Sequence, residues 1–318
     1  MNTYTILVTA RSFGSADSKA IDLLQEHGCT VIRLKESSQC SLRTQLEENI
    51  GKADAIIAGL EPYDASLLSL GENLKVISRY GVGYDAIDQE AASRQNIKIT
   101  ITPGANGDSV ADFAVALMLS AARHVPVMDQ TLRGGKAQRP VGVELWQKTL
   151  GVIGTGRIGQ GVIKRLSGFQ MKILCYDMYQ CEELKEHYGA LYTDIDTLIR
   201  ESDFITIHTP LTVKTENLFN AETFKQMKSR SVLVNTARGG IIDEGALYNA
   251  LKEGEIGAAG LDVTLDDPYH GKLCELPNCI LTPHAGAATI EASSKMSLMA
   301  AENALAVLQT GTCEYCIK

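Results

Sequence analysis

Residues 149–177 constrain this chain more than any other stretch. TLGVI at 149–153 is a short apolar run of the kind buried as a parallel strand. Gly154, Gly156 and Gly159 follow at once in G-x-G-x-x-G spacing. Residues 158–166 then place apolar side chains at helical intervals, and 172–176 reads as a second strand. Asp177 ends that strand, 18 residues after Gly159. The glycines have separate physical uses: Gly154 permits the tight turn, Gly156 lets backbone approach a pyrophosphate, and Gly159 lets helix and strand pack closely. The helix N-terminus offers unpaired N–H groups and partial positive charge to phosphates. An acid at the position of Asp177 accepts from ribose hydroxyls, which favours NAD over NADP. Three glycines alone also mark ordinary strand-to-helix turns; both strands and the acid, in order, point to a dinucleotide. Arg157 and Ile158 lie inside the turn, and Arg157 is placed to touch the pyrophosphate or to face water.

Composition bounds the rest. A chain of 318 residues has room for two domains, each with its own core. Net charge of −8 argues against a phosphate-backbone partner, so no nucleic acid is expected. No apolar run approaches the roughly 20 residues that span a bilayer. The first strand starts without a basic leader, and the expected location is the cytoplasm. Eight scattered cysteines read as free thiols. CEYC at 313–316 has no second pair at zinc-site spacing, and no metal is expected.

Along the first hundred residues, strands at 5–10, 30–34, 53–58, 75–78 and 98–101 alternate with helices near 18–27, 41–50, 64–69 and 87–95. Such alternation gives a parallel sheet covered on both faces. TPGAN at 102–106 breaks the rhythm and is read as the crossing between domains. The helix from 108 to about 124 is apolar nearly all round, which suggests packing between domains or against another subunit. Residues 133–144 are glycine-rich and irregular. After Asp177, strands are expected at 204–207, 232–235, 258–261 and 280–282, and helices near 194–201, 221–227 and 243–253. A last helix at about 289–309 is expected to cross back and complete the first domain. The expected class is α/β with two doubly wound parallel sheets: a substrate domain from 1–101 plus 287–318, and a cofactor domain from 102–286.

Several polar groups follow strand ends, where open α/β sheets bind ligands. Arg238 lies in NTARGG at 235–240, Asp267 in LDVTLDDP at 261–268, and His284 in TPHAG at 282–286. Reducing a carbonyl by hydride needs a proton for the developing alkoxide, and imidazole suits because histidine titrates near working pH. The carboxylate of a 2-oxo acid suits the bidentate fork of an arginine. A nearby acid favours imidazolium and orients the ring. Each residue also has a plain structural reading, as surface arginine, capping histidine or turn-forming aspartate. RYGVG at 79–83 and Arg11-Ser12 follow strands of the first half and are candidates for a ligand cleft there.

These motifs resemble the D-isomer-specific 2-hydroxyacid dehydrogenases over nearly the full length. The resemblance rests on the glycine turn at Gly154, SDFITIHTPLTVKT at 202–215, residues 227–247 around NTARGG, and PHAG at 283–286. It implies a Rossmann cofactor domain, a flavodoxin-like substrate domain and a homodimer embracing through the cofactor domain. It implies that Arg238 binds the substrate carboxylate and polarises the carbonyl, that His284 is the acid/base, and that Asp267 pairs with that histidine. It implies an NAD site at Gly154, Gly156, Arg157, Ile158, Gly159, Asp177, His208, Thr209, Pro210, Thr215, Thr236, Ala237, Asp262 and Gly286. Arg79, Gly81, Val82, Gly83 and Asn106 match the substrate side. One departure stands out: the family's acid is usually Glu, and Asp267 is one methylene shorter, about 1.5 Å of reach. The loop is then closer, a water bridges, Asp266 substitutes, or the pair is weaker.

IAGLEPY at 57–63 and RYGVGYDAID at 79–88 are most similar to the phosphoglycerate dehydrogenase branch, whose C-terminal regulatory domain has no counterpart before Lys318. Arg79 and Arg11 carry charge suited to a substrate phosphate, or pair with acids of the sheet edges. 3-Phosphoglycerate is therefore put first among substrates. Glyoxylate or hydroxypyruvate reduction and a D-lactate-type activity stay open, as does an NAD(H)-sensing, corepressor-like role.

Overall fold

The structure, a computed structural model, describes residues 4–37, 40–266 and 268–317. The chain divides into two compact units, residues 1–106 with 288–318, and residues 107–287.

In the first unit, β1 (Thr5–Val8), β2 (Thr30–Arg33), β3 (Ala55–Ala58), β4 (Val76–Arg79) and β5 (Lys98–Thr100) form one parallel sheet in the order β2-β1-β3-β4-β5. Alternation along the strands feeds two cores. Leu7, Ile56 and Ile77 point to one face, and Ile6, Val8, Ile57 and Val76 to the other. Both sets are fully buried, which is why these strands lack the polar alternation of a half-exposed sheet. Helix Ile290–Thr310 returns to this sheet and packs on β3, β4 and β5. Buried polar groups fix its register: Ser78 Oγ donates to Ala300 O at 2.8 Å, Thr100 Oγ1 to Ser78 Oγ at 3.0 Å, and Asn303 Nδ2 to Ile101 O at 2.9 Å.

In the second unit, β6 (Thr149–Ile153), β7 (Lys172–Tyr176), β8 (Leu191–Tyr192), β9 (Phe204–Ile207), β10 (Val232–Asn235), β11 (Ala258–Leu261) and β12 (Cys279–Leu281) form a parallel sheet ordered β12-β11-β10-β9-β6-β7-β8. Counted from β6 this is the dinucleotide-fold order 3-2-1-4-5-6 with a seventh strand added, and the order reverses between β6 and β9. Two cores again flank it: Leu150, Val152, Phe204, Val232 and Val234 on one face, Ile205, Ile207, Leu233 and Ala259 on the other.

Helix Gly107–Ala122, expected to pack between domains or on another subunit, lies on β10, β11 and β12 and on helix Arg157–Leu166 of its own unit. Small residues allow this: a Cβ on Gly161 would lie 2.9 Å from Ala111 Cβ, and one on Gly260 3.2 Å from Leu117 Cβ. Two α-helices and one strand lie outside the elements expected from sequence. Helix Val125–Arg133 follows a break at His124, whose φ is +53°, with Pro126 in its first turn. It buries no residue, although Val125, Met128 and Leu132 fall at helical spacing. Helix Glu182–Tyr188 and two-residue β8 are simply short. No single helix among the described residues is long and apolar enough to cross a membrane.

Candidate active site

The glycine turn joins β6 to helix Arg157–Leu166 at the point where the sheet order reverses. Gly154 has φ +91°, and a Cβ there would lie 2.5 Å from His208 O and 2.9 Å from Thr209 N. Only glycine permits both that conformation and that approach. A Cβ on Gly159 would overlap the Gly154 carbonyl oxygen. A Cβ on Gly156, in contrast, meets nothing within 4 Å. Gly156 is the N-cap of the helix and supplies no side-chain acceptor, so the first-turn N–H groups are left for an incoming anion.

Asp177 is fixed from its own unit. Thr155 N and Thr155 Oγ1 donate to its Oδ2 at 2.6 and 3.1 Å, and Tyr179 N donates to Oδ1 at 3.1 Å. Tyr192 Oη donates in turn to Thr155 Oγ1 at 2.9 Å. A carboxylate has about four acceptor positions, so Oδ1 retains one for a ribose hydroxyl. The following residues, Met178, Tyr179, Gln180 and Cys181, include no cation to neutralise a 2′-phosphate. Open cradle, helix N-terminus and oriented acid fit NAD. Thr155 and Tyr192, which hold the acid, were not singled out from sequence; the only signal was that Thr155 is the middle residue of G-x-G.

On the other side of the reversal, after β9, His208 N donates to Ile153 O at 2.7 Å. The ring lies between two hydroxyls, with Nε2 2.8 Å from Thr206 Oγ1 and Nδ1 3.4 Å from Thr236 Oγ1. Burial pushes its pKa down to about 3, so the ring is uncharged near neutrality. Unfolding frees it to titrate near 6.5. The folded pKa is the lower one, so this contribution is complete above pH 6.5 and is lost as pH falls toward 3. The loss is at most about 1.4 kcal/mol per pH unit. Urea unfolding of His208→Gln should therefore show a flatter fall in stability between pH 6.5 and 4 than the unaltered chain. Parallel curves would remove His208 as the cause. Thr215 Oγ1 donates to Pro210 O at 2.7 Å and accepts from Thr212 N at 2.8 Å, closing the loop after His208.

Three adjacent strands, β10, β11 and β12, bring the chemistry-bearing residues to one edge of the sheet. After β10, fully buried Asn235 shapes the turn: its Oδ1 accepts from Ala237 N at 2.9 Å and its Nδ2 donates to Arg238 O at 2.8 Å. Arg238 follows in extended conformation, with Nη1 donating to Ala237 O at 2.7 Å. A Cβ on Gly239 would overlap the Thr264 carbonyl and lie 2.6 Å from Leu265 N, so the loop after β11 rests directly on this turn. Leu265 N donates to Glu244 Oε1 at 2.7 Å. Burial, then the charges of Asp266 and Asp243, push the Glu244 pKa up. Asp267 lies outside the described residues.

After β11 comes Asp262, 2% exposed. Its carboxylate carries the loop after β12: Oδ1 accepts from Thr282 Oγ1 and Ala285 N, both at 2.7 Å, and Oδ2 from Gly286 N at 2.8 Å. A Cβ on Gly286 would lie 2.9 Å from that Oδ2. His284 N donates to Asp262 O and Thr282 O, both at 3.0 Å, and its φ is +51°. A non-glycine residue in this region is uncommon and needs such bracing. The result is an exposed imidazole on a fixed loop.

In the first unit, Gly81 has φ +139°, with Gly81 N donating to Arg79 O at 2.9 Å and Gly81 O accepting from Thr102 N at 2.9 Å. Val82 is 37% exposed beside it. Arg79 is 7% exposed and its Nη1 donates to Ala58 O at 3.2 Å and Tyr80 O at 2.6 Å. Arg11 stands on the surface, 3.9 Å from Glu36. Asn106 is the last residue of the first stretch of this unit.

Comparison with known proteins agrees with this layout. Residues 115–286 match the family described as D-isomer specific 2-hydroxyacid dehydrogenase, NAD binding domain. The chain is 41% identical over 286 residues to a glyoxylate reductase of Thermococcus litoralis, covering 86% of each. It is 44% identical over 273 residues to a D-3-phosphoglycerate dehydrogenase of Methanocaldococcus jannaschii, covering 84% of this chain and 52% of that one. Its fold superposes on the TT0316 protein of Thermus thermophilus with a TM-score of 0.87 at 35% identity, over 99% and 100% of the two chains. The chain belongs to the D-isomer-specific 2-hydroxyacid dehydrogenases. It is an NAD-dependent oxidoreductase.

Proposed function

We propose that this enzyme reduces a small, non-phosphorylated 2-oxo acid, glyoxylate to glycolate or hydroxypyruvate to D-glycerate. The observation that carries this reading is the state of the two cations considered for a substrate phosphate. Arg79 is engaged with backbone carbonyls, and Arg11 is at the surface beside an acid. Similarity to a glyoxylate reductase over 86% of both chains supports it. 3-Phosphoglycerate is the second reading, favoured by the 44% identity to the archaeal phosphoglycerate dehydrogenase.

NADH, held at the glycine turn and Asp177, would supply a hydride for the C2 carbonyl. Arg238 grips the substrate carboxylate and leans positive charge on the carbonyl oxygen. His284 donates the proton that the developing alkoxide takes up, and Asp267 orients its ring. Asp262 is a positioning residue acting through the loop it holds. Gly154, Gly156, Gly159, Arg157 and Ile158 seat the pyrophosphate, and Asp177 takes the ribose. His208, Thr209, Pro210, Thr215, Thr236, Ala237 and Gly286 line the remaining length of the cofactor. Gly81, Val82, Gly83 and Asn106 approach the substrate. The test is NADH oxidation at 340 nm against glyoxylate, hydroxypyruvate, phosphohydroxypyruvate and pyruvate. Turnover of glyoxylate and hydroxypyruvate is the expected result. Bound NADH with no turnover of any of them would favour a sensing role instead.

All eight cysteines are free, as suits a reducing compartment, and the cytoplasm is the proposed location. A homodimer is proposed from the second unit's exposed apolar side chains. Helix Val125–Arg133 buries nothing, Leu132 is 68% exposed and Val141 92%. Light scattering on the eluting protein should give twice 34.4 kDa; a monomer mass would refute it.

A further inference from the structure

The second unit carries a hydroxyl relay that ends on Asp177. Cys181 N donates to Tyr192 Oη at 2.9 Å, Tyr192 Oη to Thr155 Oγ1 at 2.9 Å, and Thr155 Oγ1 to Asp177 Oδ2 at 3.1 Å. Both ends fix its direction. A backbone N–H can only donate, so the Tyr192 oxygen accepts from Cys181 and its single proton is left for Thr155. A carboxylate can only accept, so the single Thr155 hydroxyl proton goes to Asp177. Each hydroxyl accepts as it donates, which strengthens the bond it donates. Thr155 is 3% exposed, and the Tyr192 ring packs on the core that holds Leu150, Val152 and Cys175. Parallel pairing of β8 with β7 sets Tyr192 level with Cys175, and Lys185 Nζ lies 5.5 Å from the centroid of its ring. Thr155 N, donating to Oδ2 at 2.6 Å, and Tyr179 N, donating to Oδ1 at 3.1 Å, complete the hold on the acid. Both carboxylate oxygens are thereby tied, and residues 177–181 close as a loop from Asp177 to the Cys181 amide.

We propose that Tyr192 is a positioning residue that sets selectivity for NAD(H) over NADP(H): through Thr155, its hydroxyl keeps the Asp177 carboxylate aimed at the ribose. The inference rests on the reading of Asp177 as the ribose acid and deepens it. A ribose 2′-hydroxyl has a proton to donate to the open position on Oδ1, whereas a 2′-phosphate brings negative charge and no such proton. The phosphate is therefore accommodated only if the carboxylate turns away, and the relay opposes that turn. Selectivity of this kind comes from the repulsive element as much as from the attractive one.

The experiment titrates NADH and NADPH into the purified chain, follows their fluorescence with no 2-oxo acid present, and compares the ratio of the two Kd values between variants. Asp177→Ala should reduce the preference for NADH at least about 10-fold, the loss of one hydrogen bond to a charged group. Tyr192→Phe keeps the ring packed and removes only the hydroxyl. It should reduce the preference about 3- to 10-fold, mainly through weaker NADH binding, the range of one neutral hydrogen bond. Thr155→Val should act in the same direction, and Thr155→Ser should restore the unaltered ratio. Because the hydroxyls act in series, Tyr192→Phe combined with Thr155→Val should cost no more than Thr155→Val alone. An unchanged ratio in Tyr192→Phe, with Asp177→Ala lowering it, would overturn the role of Tyr192 and leave Asp177 as the ribose acid. Equal weakening of NADH and NADPH would overturn it too, since that marks a residue needed only for packing. Additive losses in the double variant would overturn action through Thr155. An unchanged ratio in Asp177→Ala would overturn the ribose reading and the inference with it.

Discussion

Replacing His284 with glutamine is expected to lower kcat by roughly 10²–10⁴-fold, the usual contribution of one positioned acid. NADH should still bind, because the ring is not part of the glycine turn that seats the dinucleotide. The main chain at this residue is already held by two hydrogen bonds, to the carbonyls of Asp262 and Thr282. The substitution should leave that loop in place and remove only the proton donor. Turnover at 340 nm and NADH titration by fluorescence separate the two effects. An enzyme that keeps full kcat would take His284 out of the chemistry; one that loses NADH affinity instead would make it a cofactor residue.

Asp262→Ala is expected to damage both stability and rate. The carboxylate accepts three hydrogen bonds from the segment that carries the histidine, and it is 2% exposed. Removing it strands Ala285 N and Gly286 N without their acceptor, while the Thr282 hydroxyl can still donate to Leu261 O at 3.2 Å. Unsatisfied groups of this kind cost about 1–3 kcal/mol each, less whatever water restores, so a loss of roughly 2–4 kcal/mol is expected. With its brace gone, the left-handed backbone at His284 should relax and kcat should fall together with the unfolding midpoint. Unaltered stability, or lost stability with unaltered kcat, would each contradict the positioning role.

What the sequence disclosed and withheld follows from the range of the interactions involved. The run from β6 to β7 was legible almost residue by residue, because turn, helix and acid are consecutive and each glycine has a local reason. Parallel strands such as Phe204–Ile207 and Val232–Asn235 were equally plain, since burial on both faces makes them continuous apolar runs. The work of Asp262 was not legible. Its partners lie 20–24 residues away, and nothing local distinguishes it from a turn-forming aspartate. Arg79 showed the same limit in reverse: a cation at a strand end is visible in sequence, but not that it turns back onto two carbonyls. Helix Val125–Arg133 is only nine residues long and follows a left-handed break at His124, so its apolar positions do not continue those of the helix before it.

On the function proposed above, this chain delivers a hydride from a nicotinamide to C2 of a small 2-oxo acid with D stereochemistry. The decisive measurement uses NADH carrying deuterium at both C4 positions with hydroxypyruvate, followed by NMR and chiral analysis of the product. D-Glycerate carrying deuterium at C2 is the expected product. L-Glycerate, product without deuterium at C2, or bound NADH left unoxidised would contradict it.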